Sequence, residues 1–429
     1  MGTLIVRNAG PLNGIVDISG AKNAVLPIMA ATLLTDEECE ISEVPMLRDV
    51  EVMLDILQSL GATVTKDSKN GVVRVKADGN LLNSASYSLA KKMRASVLTM
   101  GPLLARTGVG GAYLPGGCAI GTRPIDLHLK GFKALGAEVN TGEELGDTYV
   151  EARSIGLHGA EIYLDFPSVG ATENIIMAAV FADGNTIIEN VAQEPEIVDL
   201  TNFLNKMGAK IKGAGTDVIK IEGVQKLHGC KYSIIPDRIE MGTFMVAAAI
   251  TRGDIFIRNG ISDYVRPVIA KLKECGVVIE DADEGMRVRG DVNPIISTGI
   301  KTLPYPGFPT DMQAQFMALL TTAHGSSVVI ETVFENRFMH VRELNKLGAS
   351  ITTKGKTALV QGQRELKGRK VAATDLRAGA ALVLAGLVAS GKTAVSEIYH
   401  IERGYENFLQ KFKEDRKSTR LNSSHPAGS

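Results

Sequence analysis

Cysteine is scarce. The 429 residues contain four, Cys39, Cys118, Cys230 and Cys275, far apart in sequence and without metal-ligand spacing. Such a set excludes a sequence-encoded metal cluster and a disulfide framework, and reads as a reduced, cytoplasmic protein. Charge of either sign is not in excess, since the formal net charge is -1; a global pull toward nucleic acid or an anionic membrane is thereby excluded. No apolar run reaches membrane-spanning length. The first residues, Met1-Gly2-Thr3-Leu4-Ile5-Val6-Arg7, lack the basic and apolar regions of a signal peptide. No Ser-His-Asp set is evident, and Gly108-Val109-Gly110-Gly111 lacks the spacing of a nucleotide-binding loop. Neither a cofactor nor a metal is implied. Tryptophan is absent, yet 45% of the residues are hydrophobic, enough for the cores of two or three domains.

A repeat organises the chain. A helix ending in Leu-Gly-Ala, or a close variant, recurs at Gly61, Gly136, Gly208, Gly276 and Gly348, at steps of roughly 70 residues, long enough for a full supersecondary unit. Each glycine falls where a helix C-terminus needs a left-handed residue, and a β-rich run follows. A second helix type alternates with the first. Asn23–Leu34, Ala95–Ala105, Asn174–Phe181, Thr243–Ile250, Gln313–Thr322 and Ala378–Ala389 are apolar almost all round, which marks buried helices. Strands are expected after them, at Asn185–Glu189, Asp254–Ile257, Ser326–Ile330 and Lys392–Ser396. Six such units, three before and three after about residue 233, predict an α/β protein of two inside-out domains, with helices inside and sheets facing solvent.

The sixth unit breaks off. After the helix at Phe408–Glu414, where Leu-Gly-Ala is due, residues 415–429 are polar and carry no strand signal. They read as an aberrant tail, from a frameshift or appended sequence, in place of the native end.

The stretch from Gly108 to Pro124 holds six glycines and Cys118. So much backbone freedom suggests a loop that moves or approaches a ligand closely. Arg123, five residues beyond the thiol, favours the reactive thiolate.

The repeat, this loop and several polar stretches together resemble the UDP-N-acetylglucosamine 1-carboxyvinyltransferases, a family of enolpyruvyl transferases. The resemblance rests on Gly20-Ala21-Lys22-Asn23-Ala24, Arg94-Ala95-Ser96, Pro115–Leu127, Ser168-Val169-Gly170-Ala171-Thr172, Pro236-Asp237-Arg238-Ile239-Glu240, Tyr305–Gln315, Phe334–His340, Asp375-Leu376-Arg377 and Glu402-Arg403-Gly404-Tyr405-Glu406. It implies domains at 22–233 and at 1–21 with 234–414, and an active site in the cleft between them closed by the cysteine loop. The implied reaction moves the enolpyruvyl group of phosphoenolpyruvate to the 3′-hydroxyl of UDP-N-acetylglucosamine, releasing phosphate.

On this resemblance Cys118 is the proton donor and Asp311 the general base, although Asp311 also reads as a helix N-cap. Lys22, Asn23, Arg123 and Arg403, with Arg337 and Arg377, would bind phosphoenolpyruvate, whose phosphate and carboxylate suit arginine forks. Arg94, Arg123, Pro124, Ile125, Asp126, Leu127, Ser168, Val169, Asp311 and Val333 would bind the UDP-sugar. Asp237, Arg238 and Glu240 sit near the predicted junction, as a hinge ion pair or a ligand contact. The rival readings are a 3-phosphoshikimate 1-carboxyvinyltransferase and a non-catalytic relative that binds a UDP-sugar.

Overall fold

The computed structural model describes residues 2–114 and 125–414. The cysteine loop with Cys118, Arg123 and Pro124, and the tail at 415–429, lie outside the described residues. Two compact units divide the chain at 19/20 and 235/236.

Each unit carries three sheets. In the unit from residue 20 to 235 the sheets are built on Cys39–Ser42, Val109–Leu114 and Asn185–Glu189. In the other they are built on Asp254–Arg258, Ser326–Ile330 and Lys392–Ser396. The four-stranded sheets repeat one plan: a parallel edge strand, a central strand, then an antiparallel hairpin. Glu161–Tyr163 runs parallel to Asn185–Glu189, which pairs antiparallel with Val218–Glu222, which pairs in turn with Lys210–Lys212. Strand side chains alternate buried and exposed, as in Thr357–Gln361, so each sheet turns one face to the helices and one to water.

Two of the helices behind the sheets are buried on all sides. Every residue of Arg238–Thr251 is buried, and so is every residue of Gln313–Leu320. This matches the sequence reading of apolar helices inside. Gly61, Gly136, Gly208, Gly276 and Gly348 all take φ between 92° and 106°, one residue beyond the helix cap, where a side chain would strain the backbone.

Two expectations change. The helix expected over Ala95–Ala105 is a 3-10 turn, Arg94–Thr99, followed by an α-helix, Met100–Thr107. Pro102 has no N–H and is best accommodated in the first turn of a helix, whereas a continuous helix through it would lose a hydrogen bond. The glycine-rich stretch is also not all loop. Val109–Leu114 is a strand paired with Asp147–Arg153, and a Cβ at Gly110 would lie 2.3 Å from the Met100 carbonyl oxygen. The glycine there serves close packing.

The N-terminal segment belongs to the unit that begins at residue 236. Thr3–Arg7 pairs antiparallel with Lys392–Ser396, and Asn13–Asp17 pairs parallel with Asp254–Arg258. The chain is tied by a backbone hydrogen bond on either side of the crossings at 19/20 and 235/236. Asp237 N–H donates to the Ser19 carbonyl, and Ala21 N–H to that of Ile235, both at 2.8 Å. No helix among the described residues is long and apolar enough to cross a membrane.

Candidate active site

In the unit from residue 236, Asp311 lies in a 3-10 turn, Thr310–Met312, that leads into the helix Gln313–Leu320. The N-cap of that helix is Met312, so the N-cap reading of Asp311 does not hold. Its carboxylate is instead held from two sides. Arg337 Nη2 donates to Oδ1 at 2.9 Å, and Arg377 donates to Oδ2 through Nε at 3.2 Å and Nη2 at 2.9 Å. Fork geometry of this kind fixes the orientation of both partners. The structure thus brings together three of the predicted residues.

Both arginines are buried, at 6% and 3% exposure, and the Nη1 of each has no hydrogen-bond partner among the described residues. A buried guanidinium nitrogen without a partner is costly. Burial opposes the Arg377 charge, but the adjacent Asp311 and Tyr405 outweigh it and hold its pKa above the ordinary arginine range. The guanidinium of Arg377 stacks 5.4 Å over the Tyr405 ring, and that of Arg337 lies 5.2 Å over Phe334. Arg403 follows the short helix Tyr399–Glu402 as its cap residue. Burial and the Arg403 charge lower the pKa of the neighbouring His400. Val333, also predicted, sits just beyond the strand Ser326–Ile330.

In the unit from 20 to 235, Lys22 opens the helix Lys22–Ala31, with Asn23 next to it. Its ammonium lies 3.4 Å from the buried carboxylate of Asp49, a partner sequence reading missed. Arg94 begins the 3-10 turn Arg94–Thr99. Asp126 and Leu127 begin the helix Asp126–Ala134, and Ile125 is its N-cap residue. Asn174 ties these two elements together. Its Nδ2 donates to the Val97 carbonyl and contacts His128 Nδ1 at 2.9 Å, and its Oδ1 accepts from Gly101 N–H. Burial, and then the Arg94 charge, push the pKa of His128 down to about 4, so its ring is neutral at physiological pH. Ser168 caps the helix Val169–Ala179, accepting from Ala171 N–H. Beside it Asp165 binds Lys130, from the helix that Asp126 opens, at 2.8 Å.

At the junction Asp237 is the N-cap of Arg238–Thr251 and accepts from Ile239 and Glu240 N–H. Glu240 is paired with Lys411 at 2.8 Å and accepts from Ser19 N–H at 2.8 Å. Glu240 is thus part of an ion pair within its own unit. Its cation comes from the helix Phe408–Glu414, which sequence reading did not connect with Glu240.

Cys39 and Cys230 are far apart in sequence, but strands Cys39–Ser42 and Lys231–Ser233 run side by side. A thiol hydrogen bond joins the two; with burial it raises the pKa of Cys39, and it lowers that of Cys230.

A family model described as EPSP synthase (3-phosphoshikimate 1-carboxyvinyltransferase) matches residues 6–412. Among solved structures, the enolpyruvyl transferase NikO from Streptomyces tendae superposes with a TM-score of 0.87 at 22% identity, covering 99% of this chain and 100% of that one. EPSP synthase from Acinetobacter baumannii superposes at 0.73 and 18%, with the same coverage. At such identities the likeness is one of fold. The chain belongs to the EPSP synthase family, the class its six-sheet architecture defines.

Its sequence places it more narrowly, among the UDP-N-acetylglucosamine 1-carboxyvinyltransferases. It is 59% identical over 409 residues to UDP-N-acetylglucosamine 1-carboxyvinyltransferase 1 of Caldanaerobacter subterraneus subsp. tengcongensis, covering 95% of this chain and 97% of that protein. It is 56% identical over 422 residues to the Finegoldia magna enzyme, covering 96% and 97%.

Proposed function

We propose that this protein transfers the enolpyruvyl group of phosphoenolpyruvate to the 3′-hydroxyl of UDP-N-acetylglucosamine, in the cytoplasm, as the first committed step of peptidoglycan synthesis. The observation that carries the reading is Asp311 held between two buried arginines, each with an Nη1 left unpaired among the described residues. A carboxylate fixed beside unsatisfied cationic donors suits a base that works against a bound anion.

In this reading the sugar hydroxyl gives its proton to Asp311 as its oxygen bonds to C2 of phosphoenolpyruvate, while C3 gains a proton from Cys118. Loss of a proton from C3 and of phosphate from C2 then restores the alkene. Lys22, Asn23, Arg123 and Arg403, with Arg337 and Arg377, bind phosphoenolpyruvate. Arg94, Arg123 to Leu127, Ser168, Val169, Asp311 and Val333 serve the UDP-sugar. Domains at 22–233 and at 1–21 with 234–414 are part of the same proposal.

Phosphate release separates the alternatives. Release with UDP-N-acetylglucosamine and none with shikimate 3-phosphate is expected. Release only with shikimate 3-phosphate would favour the sister activity, and none with either acceptor would favour a binding-only relative. Identity of 54–59% to proteins named for the UDP-sugar reaction supports the first outcome.

Fosfomycin, an epoxide that alkylates thiols, is expected to label Cys118 first. Cys39 and Cys275 are buried, and burial pushes the Cys275 thiol up to about 12, so neither supplies much thiolate. Cys230, half-buried and lowered by Cys39, is the thiol to watch. Peptide mapping that finds Cys230 modified as fast as Cys118 would remove Cys118 as the activated thiol.

A further inference from the structure

Glu331 follows directly on the strand Ser326–Ile330, and Thr302 on the neighbouring parallel strand Ile300–Lys301. The two residues therefore stand together where two loops leave the sheet. Glu331 is buried, at 1% exposure. Burying a carboxylate is expensive unless its oxygens are satisfied, and here four donors converge on it. Oε1 accepts from Thr302 Oγ1 at 2.8 Å, Val333 N–H at 2.8 Å and Phe334 N–H at 3.1 Å. Oε2 accepts from Thr310 Oγ1 at 2.9 Å. Thr302 Oγ1 in turn accepts from Thr332 N–H at 2.9 Å.

The identities of these donors give the carboxylate its meaning. Thr310 immediately precedes Asp311, and the loop that starts with Val333 and Phe334 delivers Arg337, which grips Asp311 from the other side. One buried carboxylate thus anchors the loop that carries the base and the loop that carries both a residue assigned to the UDP-sugar and the base's own arginine. Its two oxygens divide the work. Oε2 holds the Thr310 side, and Oε1 holds the Val333 side and the sheet.

We infer that Glu331 is a positioning residue for the reaction, setting Asp311 through Thr310 and the sugar-binding loop through the Val333 and Phe334 amides. The inference rests on the functional reading above. Glu331 touches no reacting atom and acts wholly through the two loops.

Thr310→Val, Thr310→Ser and Glu331→Gln, compared in the full-length protein with phosphate release as readout, test this. Thr310→Val removes the contact to Oε2 alone. A hydrogen bond to a charged group and a small displacement of a catalytic group together predict a kcat loss of about tenfold to a hundredfold. The KM for UDP-N-acetylglucosamine is expected to stay within about twofold, because the Oε1 side is untouched, and Thr310→Ser, which keeps the hydroxyl, is expected to restore kcat. Glu331→Gln disturbs both sides, so kcat falls and that KM rises. If Glu331→Gln fails to fold, the threonine pair decides the matter alone. Wild-type kcat in Thr310→Val, or equal losses in the valine and serine variants, overturns the inference while leaving the functional reading intact. Failure of the wild-type protein to release phosphate with UDP-N-acetylglucosamine would instead overturn the functional reading, and this inference with it.

Discussion

Asp311→Asn is expected to lower turnover by about 10²- to 10⁴-fold, the range attributed to a positioned general base, while phosphoenolpyruvate binding stays within a few-fold. Asparagine keeps the shape and one acceptor oxygen but cannot take the hydroxyl proton. Arg337 and Arg377 each bind a different carboxylate oxygen, so asparagine keeps an acceptor for one of them and turns an amide N–H toward the other, and a thermal melt of the variant is read beside its rate. Asp311→Ala is a harsher change. It leaves two buried guanidiniums facing each other without their shared anion, and removing one member of a buried ionic set costs about 3–5 kcal/mol. A turnover loss in the alanine variant alone would therefore report stability. Steady-state rates, with phosphoenolpyruvate binding followed by isothermal titration calorimetry, read both quantities, and near-normal turnover in Asp311→Asn would remove the residue from the mechanism.

Lys411→Met is expected to destabilise the protein by about 3–5 kcal/mol at pH 8 and by markedly less at pH 5. Burial, partly offset by Lys411, raises the Glu240 pKa from 4.5 to about 7. A carboxyl whose folded pKa is raised favours the fold fully below its unfolded value, and that contribution fades as pH climbs to the folded one. Between pH 4.5 and 7 the effect is worth about 3 kcal/mol. At pH 5 Glu240 is protonated and needs its ammonium partner little; at pH 8 it is charged and depends on it. The whole protein need not show the slope. His128 and His340, lowered to about 4 by burial, gain stability with rising pH over much of the same window. Denaturant melts of Lys411→Met and Glu240→Gln against wild type isolate the Glu240 contribution, and an equal cost for Lys411→Met at pH 5 and pH 8 would rule it out.

How far the sequence spoke for the structure depended on distance along the chain. The glycines at 61, 136, 208, 276 and 348 carry their own conformational demand, so the repeat and its helix ends were legible from the residues alone. The strand Asn185–Glu189 and the strand Ser326–Ile330 were legible in their full extent, because a β-branched run bounded by turns has few other choices. Partnerships made across the fold left no such trace. Nothing near Glu240 names Lys411, nothing near Cys39 names Cys230, and the four donors on Glu331 come from three separate stretches. Asp311 was legible through its resemblance, but its arginine clamp was not, and its local sequence pointed to a helix cap it does not form.

The two N-terminal strands impose an order on biosynthesis. Thr3 lies opposite Ser396 and Asn13 opposite Asp254, so these residues wait during synthesis for partners made much later. The unit from 20 to 235 has all of its described strands once residue 235 emerges. The other must close contacts of the longest range in the chain, the kind that slows folding. Until then, Thr3–Arg7 is an apolar strand with no sheet to join. A nascent chain stalled before residue 392 carries that strand exposed, and this is the stage at which the growing protein is most open to aggregation.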